Sequence, residues 1–321
     1  MADSGRRIRS SDPYVLTLES AVSAKTVIQL PDGYAGITQT SGQIGDSIPV
    51  ATVGVYPIAK TTGIVFLPGT KIFWDHSANS ATYKRAGDRD FYVGTCVGGA
   101  ASADTEVSVD LNKMPRIDIN LATSGYDSVP VGTAAAGGFG YPVDLGGSLK
   151  FELTATSEAQ KVDALSVDSF SGSANAIAEF VVRVPTDGAS GSQDISIGLA
   201  NDTHATDADS ITESIFFHLD GNSTTIRAES DDGTHEVAAT DTTKTYTEGS
   251  AITNRKEFWI DFRNPSSVAL YVDAVQVLSA TTFNVSSATG PWKMLVHVEK
   301  SSGTDVYVLR VDSATVRFSE Q

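Results

Sequence analysis

The sequence predicts an all-β protein, and three observations support this prediction. Apolar and polar residues alternate over many short stretches, which is typical of strands with one buried face. Turn-forming pairs such as Asp187-Gly188 and Asn264-Pro265 separate these stretches. Hydrophobic residues make up 40% of the 321 positions, which is enough for a core. Many short alternating strands indicate an antiparallel sandwich or barrel.

The alternating stretches occur in both halves of the chain. In the N-terminal half, Val107, Val109 and Leu111 alternate with polar residues and predict a strand. The pattern is stronger in the C-terminal half, where it predicts strands over residues 178–184, 195–200, 257–262 and 294–299. Ser157 and Gln160 have the spacing of a capping box, which predicts the one helix, near residues 157–165.

Glycine and proline mark a boundary between two domains. We predict an N-terminal arm over residues 1–13, a β domain over 14–112, a Gly/Ala-rich linker over 113–147 and a β-sandwich over 148–321. The linker is either a free tether or an ordered connection. The second alternative includes a short strand formed by Ile117, Ile119 and Leu121.

Charge distinguishes the two domains. The formal net charge is −16, and residues 148–321 hold 12 basic and 25 acidic side chains, against 9 and 11 in residues 1–112. Acidic surface repels similar neighbours, so the nearly neutral N-terminal domain is the better candidate for docking. The acidic balance argues against nucleic acid as a partner. No apolar run approaches the roughly 20 residues of a membrane span.

Motifs of enzymes are absent from the sequence. There is no G-x-S-x-G elbow, phosphate-binding loop or H-E-x-x-H. The single cysteine, Cys96, excludes an internal disulfide and a cysteine-based zinc site, and we expect it to pack as a small buried side chain. We therefore predict a protein that is not an enzyme and that uses no cofactor. A polysaccharide-degrading enzyme stays as a less favoured alternative.

A polar loop and two side chains in the C-terminal domain are candidates for ligand binding. Asp202, Asp207 and Asp209 supply hard oxygen atoms of the kind that calcium prefers, although such loops are commonly solvated turns. His218 alternates with apolar neighbours, so it is expected to face away from the core, where it can contact a ligand. Trp259 is either a platform for a glycan or a core residue.

The arm carries three arginines, Arg6, Arg7 and Arg9. Guanidinium groups pair bidentately with carboxylates, so the arm is a candidate anchor on a capsid protein. The alternative is a frayed terminus with no role.

Residues 33–112 resemble the bacteriophage capsid cement, or head decoration, family. The segments that carry the resemblance are Gly42–Tyr56, Lys60–Gly63, Leu67–Asp75, Tyr92–Ala100 and Thr105–Asn112. The resemblance implies a small β-barrel-like capsid-binding domain on the outer surface of the virion, with assembly in the host cytoplasm. It also implies contact with the major capsid protein and clustering as a homotrimer between capsomers. Tyr56, Phe73 and Trp74 are then candidates for the capsid or trimer contact, with core packing as the alternative.

Residues 148–321 resemble the concanavalin-type jelly roll of lectins and laminin-G modules. The resemblance lies in the expected strands Ala178–Val184, Ile195–Ala200, Ser214–Leu219, Thr225–Glu229, Lys256–Phe262, Val268–Leu278 and Lys293–Lys300. This fold hosts many functions, so it implies a lectin-like domain without a defined ligand. The sequence thus predicts a capsid decoration protein that bridges capsomers and displays this domain, with a glycan-binding adhesin on the virion as the alternative.

Overall fold

Strands form nearly all of the regular structure, which confirms the all-β prediction. The computed structural model describes residues 14–133, 139–140, 148–188, 191 and 193–319. The chain divides into unit 1 (Met1–Arg116) and unit 2 (Ile117–Gln321). Within the described ranges, no helix is both long and apolar enough to cross a membrane.

Unit 1 contains two antiparallel sheets. The first has the strand order β1-β4-β3-β2 and consists of β1 (Tyr14–Thr17), β2 (Val27–Gln29), β3 (Ala35–Thr38) and β4 (Ser47–Ala51). The second has the order β5-β9-β8-β6-β7 and consists of β5 (Val55–Ala59), β6 (Lys71–Asp75), β7 (Ser80–Thr82), β8 (Phe91–Cys96) and β9 (Glu106–Leu111). Each sheet has two edge strands. The described part of unit 1 therefore consists of open sheets and does not form the closed β-barrel that the term barrel-like suggests.

One core joins the two sheets of unit 1. Ala35 and Ile37 of β3 belong to the same buried cluster as Ile72 of β6 and Val93 of β8. The strand predicted at Val107, Val109 and Leu111 is β9. These three residues are buried in this cluster, whereas the residues between them are not. Cys96 is 3% exposed in the same core, as expected.

Unit 2 is a sandwich of two larger sheets. The eight-stranded sheet has the order β12-β13-β24-β15-β20-β21-β22, with β10 also paired to β24. Its strands are β10 (Ile119–Asn120), β12 (Phe139–Gly140), β13 (Leu149–Glu152), β15 (Ala176–Thr186), β20 (Lys256–Phe262), β21 (Ala269–Val272), β22 (Val275–Val277) and β24 (Val308–Phe318).

The seven-stranded sheet has the order β11-β14-β23-β16-β17-β18-β19. Its strands are β11 (Tyr126–Asp127), β14 (Gln160–Ser166), β16 (Gln193–Ala200), β17 (Ser214–Asp220), β18 (Thr225–Asp231), β19 (Val237–Thr245) and β23 (Lys293–Lys300). One helical turn, α1 (Leu121–Ser124), and the 3-10 turns Ala208–Ser210 and Ile252–Asn254 complete the regular structure of unit 2 within the described residues.

The inner faces of the two sheets of unit 2 share one core. Phe217 of the seven-stranded sheet stacks on Phe258 of the eight-stranded sheet, with ring centroids 4.6 Å apart. Alternation along β16 points Ile195, Ile197 and Leu199 into this core. The same alternation places Asp194 and Ser196 on the outer face of the seven-stranded sheet.

The helix predicted near residues 157–165 is wrong, because this segment contains strand β14. Val162 and Ala164 lie in the core while Lys161 and Asp163 point to the other face, which is a period of two. Gln160 does not close a capping box, because its side chain bonds Thr154 instead: the Oε1 atom accepts from the Thr154 amide at 2.8 Å.

Part of the predicted linker is built into unit 2. Ile119 and Asn120 pair with β24, and Tyr126 and Asp127 pair with β14. Asn120 caps α1 by accepting a hydrogen bond from the Ala122 amide. Residues 119–127 therefore form hydrogen-bonded structure at one side of the sandwich.

Candidate functional site

The three aromatic residues proposed for capsid contact in unit 1 differ in exposure. Trp74 is 7% exposed and belongs to the core of unit 1, so it is not available as a surface contact. Tyr56 is half-buried and packs against the same core. Phe73 points to the other face of its strand, where it forms an edge-to-face pair with Tyr92 at 5.6 Å between ring centroids.

Other apolar side chains of unit 1 are more exposed than these aromatics. Val55 is 54% exposed on the edge strand β5, and Val53, just before that strand, is 57% exposed. Val15 on β1, an edge strand of the first sheet, is also exposed. Pro57 within β5 lacks an amide donor, which limits pairing of this edge with another strand. The edges of unit 1 thus offer apolar side chains while backbone pairing at β5 is restricted.

The arginine arm lies outside the described residues. Arg6, Arg7 and Arg9 all precede Tyr14, where the described structure begins.

In unit 2, buried polar side chains form a row on the outer face of the seven-stranded sheet. The register pairs His297 with Ser196, and Ser196 with His218, across β23, β16 and β17. None of the three is more than 5% exposed. Part of this face is covered by residues 201–213, because Ala208 and Ile211 of that loop pack with Phe216 and Leu295.

Four carboxylates surround the imidazole of His218. Its Nε2 atom lies 2.8 Å from Asp220 Oδ1 and 3.1 Å from Asp194 Oδ1. Its Nδ1 atom lies 3.5 Å from Glu229 Oε1 and 3.6 Å from Asp209 Oδ1. Three strands and the loop between β16 and β17 therefore bring one histidine and four acidic groups together.

The crowding changes the pKa values of these groups. Burial favours the neutral imidazole, but the nearby carboxylates of Glu229, Asp194 and Asp209 outweigh it and raise the pKa of His218 to about 10. Burial and the charge of Glu229 raise the pKa of Asp209 to about 6. Burial also raises the pKa of Asp194 well above its usual range, although the charge of His218 opposes this. The acidic groups at this site outnumber the cations that face them.

The pKa of His297, the second histidine in the row, is shifted in the opposite direction from that of His218. Burial lowers the pKa of His297 to about 4, so its ring is neutral at physiological pH. Burial, with the charge of Asp207, raises the pKa of the neighbouring Glu299 to about 8. His297 Nε2 and Glu299 Oε2 are 2.6 Å apart, and both side chains are uncharged near neutral pH.

Partly buried hydrogen bonds hold the covering loop, residues 201–213, near both of its ends. At one end, Thr203 donates to Asp163 Oδ2 at 2.6 Å, and the Lys161 ammonium donates to the His204 carbonyl at 2.9 Å. At the other end, Glu213 accepts from the Thr289 and Gly290 amides at 2.7 and 2.8 Å. These contacts fix the backbone that carries Asp209.

The structure brings together only two of the five residues proposed for glycan or calcium binding. Asp209 and His218 are neighbours, as described above. Asp207 instead caps the 3-10 turn by accepting from the Asp209 amide at 3.0 Å, and the exposed Asp202 accepts from the Thr203 amide. Trp259 is 1% exposed and belongs to the eight-stranded sheet, where it packs beside Tyr271. Trp259 therefore offers no open ring face to a glycan.

Two acidic neighbours of His218, Asp194 and Glu229, were not indicated by the sequence. Asp194 and Glu229 lie on strands β16 and β18, which flank the strand of His218, and their proximity depends on strand register. A third acidic neighbour, Asp220, is two residues from His218 on the same strand. The alternation that points His218 away from the core would have selected Glu229 as well, once β17 and β18 were paired as a hairpin.

Residues 8–111 match the family model described as phage cement protein. The match confirms the resemblance predicted for residues 33–112 and extends it toward the N-terminus. No curated protein matches the sequence.

Several solved structures are similar to the chain in fold. The laminarinase from Rhodothermus marinus is 13% identical, with 62% of this chain and 92% of that chain covered and a TM-score of 0.42. The carbohydrate recognition domain of Emp47p is 13% identical, with coverage of 63% and 94% and a TM-score of 0.41. LamAcat from Zobellia galactanivorans is 12% identical, with coverage of 54% and 78% and a TM-score of 0.36.

Proposed function

We propose that this protein decorates a bacteriophage head, with unit 1 and the arm bound to the major capsid protein on the outer surface. The family match over residues 8–111 carries this proposal, because it includes almost all of unit 1. The protein acts mechanically and not as an enzyme. Each copy bridges adjacent capsomers, and copies clustered as trimers add contacts that must all break before the shell opens.

The surface chemistry of unit 1 supports a contact based mainly on shape. Residues 1–112 are nearly balanced in charge, and apolar side chains such as Val15, Val53 and Val55 are exposed at sheet edges. Protein interfaces commonly have an apolar centre from which charged residues are depleted. Such a contact is expected to weaken only slightly as salt concentration rises, apart from any contribution of the arm.

Unit 2 is the displayed part in this proposal. Residues 148–321 carry an excess of 13 acidic side chains, so neighbouring copies repel each other and stay apart above the shell. In this proposal, the lectin-like domain lies in the solvent above the shell.

The proposal is tested by co-sedimentation of the full chain with purified undecorated heads over a range of salt concentrations. We expect saturable binding that Val55→Asp reduces about tenfold or more, since it places an unpaired charge in the contact. Ile252→Asp is the matched control, because Ile252 is a similarly exposed apolar residue of unit 2 and should bind normally. Arg6→Ala, Arg7→Ala and Arg9→Ala together test the arm, and we expect them to reduce the salt dependence.

Absence of co-sedimentation at every salt concentration would exclude capsid binding. Equal loss of binding in Val55→Asp and Ile252→Asp would contradict the assignment of the contact to unit 1. Electron cryomicroscopy of the decorated heads would then test the finer points, since density at positions between capsomers is expected for a trimeric bridge.

A further inference from the structure

One nitrogen of the buried His218 ring faces two carboxylates without a hydrogen bond. His218 is 5% exposed, and its Nδ1 atom has no hydrogen-bond partner. The Oε1 atom of Glu229, which is 8% exposed, is also buried without a hydrogen bond. Buried polar atoms are almost always hydrogen-bonded. Two buried atoms that lack hydrogen bonds and lie 3.5 Å apart therefore point to a ligand that both of them bind.

The opposite side of the ring is already occupied. The Nε2 atom is within hydrogen-bond distance of Asp220 Oδ1, and Arg227 in turn pairs with Asp220. A carboxylate that accepts the proton of one ring nitrogen orients the imidazole and directs the lone pair of the other nitrogen toward a metal ion. Asp220 supports His218 in this way and leaves Nδ1 for coordination.

The donor atoms have the spacing of a small coordination site. His218 Nδ1, Glu229 Oε1 and Asp209 Oδ1 lie within 4.8 Å of one another, and the nitrogen is 3.5 and 3.6 Å from the two oxygens. In a tetrahedral site with metal–ligand bonds of about 2.0–2.1 Å, neighbouring donors are about 3.3 Å apart. The two nitrogen–oxygen distances therefore need only a small contraction for the nitrogen to share one ion with either oxygen.

We propose that Asp209, His218 and Glu229 bind a first-row divalent transition cation, for which Zn²⁺ is the representative. Imidazole with carboxylates suits zinc and its neighbours, whereas calcium prefers a shell made only of oxygen. The Asp209 side chain is 52% exposed, so the site opens to solvent and leaves a coordination position for water or an external ligand. The proposed ligands differ from the all-oxygen calcium candidate, Asp202, Asp207 and Asp209, that the sequence offered.

The charge around the site favours a cation. Asp194, Asp209, Asp220 and Glu229 supply four acidic groups, whereas in the described part of the chain two basic groups, His218 and Arg227, pair with them. When the cation binds, the Nδ1–H bond of the protonated ring breaks and the proton leaves to solvent. The nitrogen lone pair then forms the bond to the metal.

The loop that carries Asp209 is positioned before any ion binds. Its anchors at Asp163 and Glu213 hold the 3-10 turn over β17 and β18, so little ordering is needed on binding. A bound cation would connect this loop to both strands. We therefore expect it to stabilise unit 2.

The test uses the full chain without an affinity tag, after treatment with EDTA and dialysis. Zn²⁺ is added, bound metal is measured by equilibrium dialysis, and the thermal unfolding midpoint is measured with and without the metal. We expect one Zn²⁺ per chain and a higher midpoint. Asp209→Asn and Glu229→Gln should each weaken binding about tenfold or more, since loss of even a supporting group costs that much at metal sites.

Asp202→Asn is the matched control, because Asp202 lies in the same loop and bonds only the neighbouring Thr203 amide among the described residues. It should bind Zn²⁺ like the unmodified chain. Asp209 is half-exposed, so Asp209→Asn is expected to fold, and far-ultraviolet circular dichroism verifies this. Co²⁺ in place of Zn²⁺ should give visible absorption bands that are lost in Asp209→Asn.

Absence of Zn²⁺ binding to the unmodified chain would overturn the proposal, as would unchanged affinity in both ligand variants. Tighter binding of Ca²⁺ than of Zn²⁺ would overturn the class of cation. The result is independent of the proposed capsid binding, because unit 2 alone supplies the ligands and the assay contains no heads.

Discussion

Units 1 and 2 are both built from antiparallel strands, but they place their polar groups differently. Unit 1 has small sheets, and Asn112, next to β9, bridges to the first sheet: its side chain bonds Ala35 N, Ala35 O and Thr52 O. Unit 2 has long strands with a continuous apolar core, and it buries ionisable side chains on the outer faces of both sheets, such as His218 on one and Arg183 on the other. The contrast shows that a large core tolerates a costly polar face, whereas a small unit depends on individual side-chain bridges.

The largest expected effect is a loss of stability in unit 2 alone, because its core is distinct from that of unit 1. Phe217→Ala removes a ring that stacks on Phe258 between the sheets of unit 2, and we expect it to destabilise that unit by about 3–5 kcal/mol. Urea unfolding measures this in a Trp74→Phe background, where the remaining tryptophans, Trp259 and Trp292, report only on unit 2. A shift below about 1 kcal/mol would show that the core is less tightly packed than its burial indicates.

A smaller effect is expected from the bridge in unit 1. Asn112→Ala removes three side-chain hydrogen bonds of 2.8–2.9 Å to the backbone, and we expect a loss of about 2–3 kcal/mol in the stability of unit 1. Trp74 fluorescence in a chain that carries Phe at positions 259 and 292 follows this unit alone. Asn112 has a φ of 58°, so Asn112→Gly is the control that keeps the backbone relaxed and removes only the bonds. Equal stability of Asn112→Gly and the unmodified chain would contradict the bridge.

The smallest effect concerns acid stability in unit 2. Burial opposes ionisation of Asp232, but hydrogen bonds from His235, Ser287 and Thr234 outweigh it and lower its pKa to about 2. Because the folded-state pKa is below the usual 3.8, the stabilisation is complete above about pH 4 and is lost as pH falls toward 2. We expect this group to contribute about 2 kcal/mol, measured as the difference in unfolding free energy between pH 5 and pH 2.

Asp232→Asn should flatten this pH dependence. The exposed Asp202→Asn is the comparison variant and should retain the full slope of the unmodified chain. If Asp232→Asn loses stability with acid as steeply as the unmodified chain, other carboxylates cause the acid sensitivity.

The strands were predicted best where alternation is strict. Val107, Val109 and Leu111 all lie in β9, and residues 257–262 fall within β20. The segment over residues 157–165 failed because two short-range signals, Ser157 and Gln160, resemble a helix start. Pairing with β23 and burial of Val162 and Ala164 override that local preference.

The candidate site could be predicted only in part. The sequence pointed to Asp209 and His218, since one lies in an acidic loop and the other alternates with core residues. It could not join them to Glu229 and Asp194, which are separated from them by 11 to 24 positions and meet through strand pairing. The burial that leaves His218 Nδ1 without a hydrogen bond likewise depends on how the covering loop packs.

The sequence by itself determined the all-β character, the acidic C-terminal half and the resemblance of residues 33–112 to capsid cement proteins. These properties depend on composition, on residue order and on the period of two, which are local. Only the tertiary structure decided that Trp74 and Trp259 are buried and that four carboxylates converge on His218. Burial and convergence depend on which strands are neighbours, and long-range hydrogen bonding between strands sets that arrangement.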